Sequence, residues 1–457
     1  MSITKLLPAL VISTLVSALA GFLFGYDNIV ISGAIHYLSV FFRLGAAGTG
    51  WAAGCALVGC VLGSAAAGTL ADRFGLKLSL NMCAVCFALS SVLVWAVPLF
   101  PAFISGRILG GVGIGAASIV APMYMAEIAP VNVRGRLVVL YQLGIVLGIL
   151  CAVFVNLLIE RSGSQAWDTE AGWRLMFLAG VVPAVLFALA ILCSNESPRW
   201  LMKMGREPQA LAVLTAISGQ AAATSQTTSI RNSLALEHAN FSSLFRGTQR
   251  TALLTGIALA AFTQLSGITS VLSFLPDVLK AAGQSVNRSF FQTVLVGAAN
   301  VVFTCLAIWL VERAGRKILI MCGTAIQTAA LLWLAKLYYS QFGGPAVVAG
   351  IMLFVAGHAI GNGAVCWVII SEIFPTKLRG VAMSIATTAL WIAAYLANQF
   401  FPLLQKHLGD AGTFFLFAIV ALANFLFVWI RVPETRGYAL EDNSTIWHKH
   451  TKQGSAA

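Results

Sequence analysis

The sequence predicts an all-α membrane protein, with twelve transmembrane helices in two six-helix halves and both termini in the cytoplasm. Three observations carry this expectation. Of the 457 residues, 59% are apolar and only 10% charged, and the mean hydropathy is +0.88; a soluble domain carries about 25% charged residues. The apolar residues fall into runs of at least ~18, long enough to cross a ~30 Å hydrocarbon core. Most of the 28 Lys and Arg residues lie in short loops on one side of those runs, the side retained in the cytoplasm.

The first six runs lie near residues 9–38, 48–70, 78–97, 101–126, 137–159 and 173–193. The earliest follows Lys5 and contains Ala18-Leu19-Ala20, which imitates a cleaved secretory signal. It continues through Gly21-Phe22-Leu23-Phe24, however, and is read as a span. The second six lie near 251–279, 290–311, 318–337, 346–371, 381–404 and 411–430. The polar segment 195–249 between the sets divides the chain into a first half (1–194), a cytoplasmic linker with short helices (195–249), a second half (250–431) and a cytoplasmic tail (432–457).

The formal charge of +12 follows from this topology, so a nucleic-acid partner is not expected. All nine cysteines fall inside apolar runs, where a disulfide framework would not place them. Cys83 and Cys86 form a C-x-x-C pair without His or acidic partners and are read as packing residues, so no metal or other cofactor is expected. No nucleophile, metal cluster or nucleotide loop marks an enzyme.

The loops repeat. Leu70 to Lys77 (LADRFGLK) matches Leu310 to Lys317 (LVERAGRK), and Glu127…Arg134-Gly135 matches Glu372…Arg379-Gly380. Glu196-Ser197-Pro198-Arg199 and Pro433-Glu434-Thr435-Arg436 give a third echo, and all three recur about 240 residues apart. The chain is therefore read as a duplication whose substrate site lies between its halves near mid-bilayer. Simple anchoring of helix ends would explain one such loop. Its repetition points to a cytoplasmic latch of Asp72, Arg73, Glu127, Arg134, Glu196, Arg199, Glu312, Arg313, Glu372, Arg379 and Glu434, forming bridges when the halves close there and losing them when they part.

These loops, together with Gly25-Tyr26-Asp27…Gly33, Gly106-Arg107…Gly110-Gly111, Pro122-Met123-Tyr124 and Gln264-Leu265-Ser266-Gly267, resemble the sugar porter family of the major facilitator superfamily over nearly the whole chain. The resemblance implies the major facilitator fold and alternating access by rocking of the halves around a central monosaccharide site, in a protein of the cell membrane. Its partners would be a sugar, a proton and the bilayer, and it would function as a monomer. Proton symporters of this family carry an Asp at the place of Asp27, where facilitators carry an uncharged residue.

Asp27 also stands out by position. Of sixteen acids it alone sits well inside a run, as Arg107 does among the bases. Each costs roughly 2.5–3.5 kcal/mol alone at the centre of a span, so the two are expected to meet. A permanent ion pair would fix two spans together. A switch would hold Arg107 while Asp27 is ionised and release it on protonation.

For the sugar, the resemblance implies Gln142, Gln264, Asn300 and Gly363 as polar contacts, with Phe24, Trp367 and Trp391 as walls. Thr263 and Thr269 stand where many members have Gln and Asn, Ser273 where they have Tyr, and Leu390 where a Gln can occur. A hexose, a pentose and a polyol all stay open. His36 and His358 are read as hydrogen-bonded packing residues. The glycine pairs 59/63, 106/110 and 144/148 have the spacing of close helix crossings. The rival functions are a facilitative uniporter, disfavoured by Asp27, and a sugar sensor, for which the tail is short.

Overall fold

The structure, a computed structural model, describes residues 8–129, 134–235, 244–374 and 378–435. Among these residues it is helical, with no strand. Six long helices, α1 (Leu10–Phe41), α2 (Ala46–Phe74), α3 (Leu76–Ala96), α4 (Phe100–Ile128), α5 (Leu140–Glu160) and α6 (Gln165–Leu192), precede three short ones. The short helices are α7 (Pro198–Lys203), α8 (Glu207–Ser218) and α9 (Gln220–Ala235). Then come α10 (Gly247–Ser273), α11 (Val286–Val311), α12 (Arg316–Tyr339), α13 (Pro345–Ile370) and α14 (Gly380–Arg431).

Eleven of these are long and apolar enough to cross a membrane. The last is 52 residues long; an unbroken helix of that length would run about 78 Å, more than twice the hydrocarbon thickness. It does not run straight. Gly409, at φ 69° and ψ 174°, leaves helical geometry in a region that side chains avoid, so α14 is two arms, each long enough for a span. The sequence places this break between 404 and 411, and the structure puts it inside that interval.

Helix ends differ more. α2 continues to Phe74 and α4 to Ile128, past the charges at which the apolar runs stop. Asp72, Arg73 and Glu127 therefore lie on the last turns of helices instead of in loops. Backbone hydrogen bonding carries a helix on into the polar interface, where hydropathy no longer marks it.

Besides α14, four long helices are interrupted, α6 among them, by a π-turn over Asp168–Gly172 and a turn at Ala179-Gly180. α1 has a turn at Val30, whose carbonyl accepts from Asn156 Nδ2 of α5 at 3.1 Å. α10 breaks at Ser266-Gly267, and α13 widens into a π-turn over Ala359–Gly363.

The described chain divides into two compact units that cut across the covalent halves. One comprises residues 1–27, 59–148 and 178–240, and the other 28–58, 149–177 and 241–457. In the first, α3 packs along α4 and against the 181–192 stretch of α6. Its glycine pairs sit at crossings: a Cβ at Gly59 or Gly63 would strike the α4 backbone, and one at Gly144 or Gly148 the α1 backbone. In the second unit, α12 packs on α13 and α14, and α10 runs along α14. The end of α1 (Ile31–Phe41) packs on Ile268–Ser273, on Leu275–Ala281 and on Asp168–Gly172. These units follow contacts, not covalent order. Trp51 against Tyr395 and His36 at 3.4 Å from Asp277 are two that join early and late sequence within the second unit.

Candidate functional site

In the first unit, α1 and α4 bring Asp27 and Arg107 together. Asp27 is 7% exposed and Arg107 1%. The guanidinium donates from Nη1 to Asp27 Oδ1 at 2.9 Å and from Nη2 to the Asp27 backbone carbonyl at 3.0 Å. One arginine thus grips both the side chain and the main chain of a single residue. The other carboxylate oxygen, Oδ2, has no hydrogen-bond partner among the described residues. It lies over Gly110, where a Cβ would stand 3.4 Å from it and 2.6 Å from Ser90 Oγ. The small residue lets α1 and α3 close around the pair. One oxygen thus holds the counter-ion, and the other is buried without a partner among the described residues.

The same unit carries Phe24 on α1 and Gln142 on α5, both half-buried. Their helices cross closely, because a Cβ at Gly21 would strike the Tyr141 carbonyl.

In the second unit the interruption of α10 shapes the polar group. Gly267 takes φ 86°, and the Phe417 ring occupies the place of a Cβ, so only glycine fits the break. The break lets Thr269 fold back and donate to Gln264 Oε1 at 2.6 Å. That leaves the Gln264 amide nitrogen as a donor. Thr263 directs its hydroxyl hydrogen along its own helix. Its hydroxyl donates to its own helix at Leu259 O, 2.9 Å away, and lies 3.5 Å from Cys366 Sγ, because a helical Thr readily bonds the carbonyl four residues back. Ser273 accepts from Asn398 Nδ2 at 3.4 Å.

Asn300 is buried on α11, which packs against the π-turn bearing Gly363 and against Ala364–Glu372, which bears the half-buried Trp367. The His358 ring lies against Gly363, with Nε2 3.4 Å from where a Cβ would be. Trp391 is 2% exposed on α14.

The repeated loops build the same device twice. At the start of α3, Glu196 accepts from the backbone N–H groups of Leu76 and Lys77 at 3.0 and 3.1 Å; at the start of α12, Glu434 accepts from Arg316 and Lys317, both at 3.0 Å. In each case an acid caps orphan donors at a helix N-terminus. The next residue repeats as well: Ser197 donates to Glu127, and Thr435 to Glu372. So does the lysine, with Lys77 Nζ on Ser194 O at 2.6 Å and Lys317 Nζ on Trp429 O at 2.8 Å. The remaining latch residues spread out. Asp72 pairs with Lys203 at 2.9 Å, Arg73 lies over Phe74, and Arg313 stacks on Trp309. Arg199 acts electrostatically on Glu127, and Glu372 pairs with Arg316 at 3.2 Å. The side chains of Arg134, Glu312 and Arg379 lie outside the described residues.

Sequence reasoning passed over several buried amides. Asn362 donates to Gln327 Oε1 at 2.9 Å and accepts from Asn424 at 3.3 Å, and all three are 0% exposed. Asn156 holds Val30 as described above. Each is an amide inside an apolar run, the signal that singled out Gln142, Gln264 and Asn300 once a family pattern supported them.

A family model described as "Sugar (and other) transporter" matches residues 13–447. The arabinose-proton symporter of Bacillus subtilis (strain 168) is 38% identical over 435 residues, covering 95% of this chain and 94% of that protein. The D-xylose-proton symporter of Escherichia coli (strain K12) is 36% identical over 475 residues, with 96% of each covered. The glucose facilitated diffusion protein of Zymomonas mobilis is 31% identical, covering 95% of this chain and 96% of that one. Among solved structures, the proton:xylose symporter XylE of the major facilitator superfamily, bound to 6-bromo-6-deoxy-D-glucose, superposes with a TM-score of 0.84 at 35% identity, covering 96% of this chain and 99% of that one.

Proposed function

We propose, from the premise that this chain belongs to the sugar transporter family, that it imports a monosaccharide, a pentose or a hexose, together with a proton by alternating access. The single observation that carries the coupling is the buried Asp27, held by Arg107 through one oxygen and open at the other. Protonation of the open oxygen weakens the bond to Arg107, while the Asp27 carbonyl keeps the guanidinium in place. The pair then has two states that differ by one proton.

Sugar contacts are assigned to Phe24, Gln142, Thr263, Gln264, Thr269, Asn300, Gly363, Trp367 and Trp391. Gln264 donates through its amide nitrogen, and the aromatic rings face the C–H surface of the sugar. The cytoplasmic acids cap helix ends, and exchange of their partners during transport is the latch role proposed for them.

The chain is read as crossing the cell membrane twelve times, α14 counting as two arms, with both termini in the cytoplasm. It works as a monomer and catalyses no reaction. A proton moving inward with a neutral sugar gains roughly 2.3 kcal/mol per 100 mV, which supports about fifty-fold accumulation.

The test is uptake of labelled arabinose, xylose and glucose by purified protein in lipid vesicles. An imposed inward proton gradient is expected to drive at least one of them above equilibrium, and Asp27→Asn to abolish accumulation while exchange persists. Uptake indifferent to the gradient would make the protein a facilitator, as the relative from Zymomonas mobilis is named. Loss of exchange together with accumulation would make the pair a fixed structural tie.

A further inference from the structure

We propose that the protein has a second proton-binding site, separate from Asp27, in which the Asp168 carboxyl carries a proton beside Tyr37 and Glu160. The three residues come from different elements: Tyr37 from the end of α1, Glu160 from the end of α5, and Asp168 from the π-turn Asp168–Gly172 within α6. They are 2%, 6% and 1% exposed, respectively. Among the described residues, Tyr37 Oη, Glu160 Oε2 and Asp168 Oδ1 each have no hydrogen-bond partner. The phenol lies within electrostatic reach of Asp168, Glu160 and Asp277, and Asp168 within reach of Glu160.

The surrounding cations approach Asp277 and Glu160, not Asp168. His36 and Lys280 both approach Asp277, at 3.4 and 3.3 Å. Arg161 and Lys280 act on Glu160, and Arg174 donates to the Glu170 backbone carbonyl at 2.8 and 3.2 Å. Asp168 is thus a buried acid facing another acid, with no ion pair of its own among the described residues. Ionising both carboxyls would bury two like charges, whereas one shared proton leaves a single charge and supplies a donor. The Tyr37 phenol, unpartnered among the described residues, is the neutral donor within electrostatic reach of the charge that remains. Gly172 completes the site, because a Cβ there would collide with Asp168 Oδ1.

The turn that carries Asp168 packs on Ile31–Phe41 of α1, so loss of this proton places like charges at the contact that holds the end of α1. The site does not depend on the transport reading, and its test reads the protein alone. Infrared difference spectra between acid and alkaline pH, on the full chain in vesicles, report the carbonyl stretch of protonated carboxyls. Asp168→Asn is expected to lose one component of that band, and Asp27→Asn a different one. A spectrum unchanged by Asp168→Asn overturns the proposal, as does disappearance of its component on adding sodium at fixed pH, which marks a cation site. Where Asp168→Asn fails to fold, Tyr37→Phe decides: a shift in the pH at which the component disappears supports the site, and an unshifted one overturns it.

Discussion

At the scale of single residues, the two bonds from Arg107 to Asp27 make the pair unequal. Arg107→Ala leaves a buried carboxylate alone and is expected to cost about 3–5 kcal/mol, whereas Asp27→Asn keeps the carbonyl contact and costs less. Thermal unfolding in detergent ranks the two. For the sugar, Gln264→Ala removes one hydrogen bond of about 1.4 kcal/mol and is expected to weaken sugar binding about tenfold, measured by ligand displacement. Asp27 and Arg107 were legible in the sequence because a charge inside an apolar run is conspicuous. The Thr263 hydroxyl was not, since its direction depends on a local bond to Leu259 that competes with any ligand. Nor was the main-chain carbonyl of Asp27, because every residue has one.

At the scale of elements, apolar runs located the spans, while their interruptions went unseen. A break costs hydrogen bonds locally and is repaid by a partner distant in sequence, such as Asn156 for the turn at Val30. At Gly267, Ala meets both a positive φ and the Phe417 ring. Gly267→Ala is expected to cost about 1–2 kcal/mol for the backbone alone and to reduce sugar binding by moving Thr269 off Gln264, as thermal unfolding and ligand displacement would show. The cap at α3 has its own pH dependence. Burial pushes the Glu196 carboxyl above the usual carboxylate range, against the N–H groups of Ser197, Lys77 and Leu76, which pull it down. The folded chain therefore holds that proton more tightly than the unfolded one. The resulting stability is present below about pH 4.3 and is lost as pH rises through the folded value. Unfolding measured against pH is expected to lose this slope in Glu196→Gln.

At the scale of the whole molecule, the duplication was legible as three echoed loops, and the structure gives the echo a physical form. Glu196 with Ser197 and Glu434 with Thr435 cap corresponding helices in the same manner. What the loops did not disclose is that Glu127, Glu196, Glu372 and Glu434 are occupied within their own half. Charge spacing along a chain carries no information about competition from backbone N–H groups. The units that cut α1, α2, α5 and α6 were equally hidden, because they depend on contacts such as Trp51 with Tyr395.

The neutrality of the Asp27–Arg107 pair has an electrical consequence. With Asp27 as the proton carrier, the empty protein has no net charge at this site, and the loaded protein has one positive charge there. Membrane voltage then acts on the loaded inward step and leaves the empty return indifferent. Under a strong inside-negative potential the return becomes the slow step, and sugar-evoked currents are expected to reach a plateau with voltage. A current that keeps rising would show that the returning protein also carries charge.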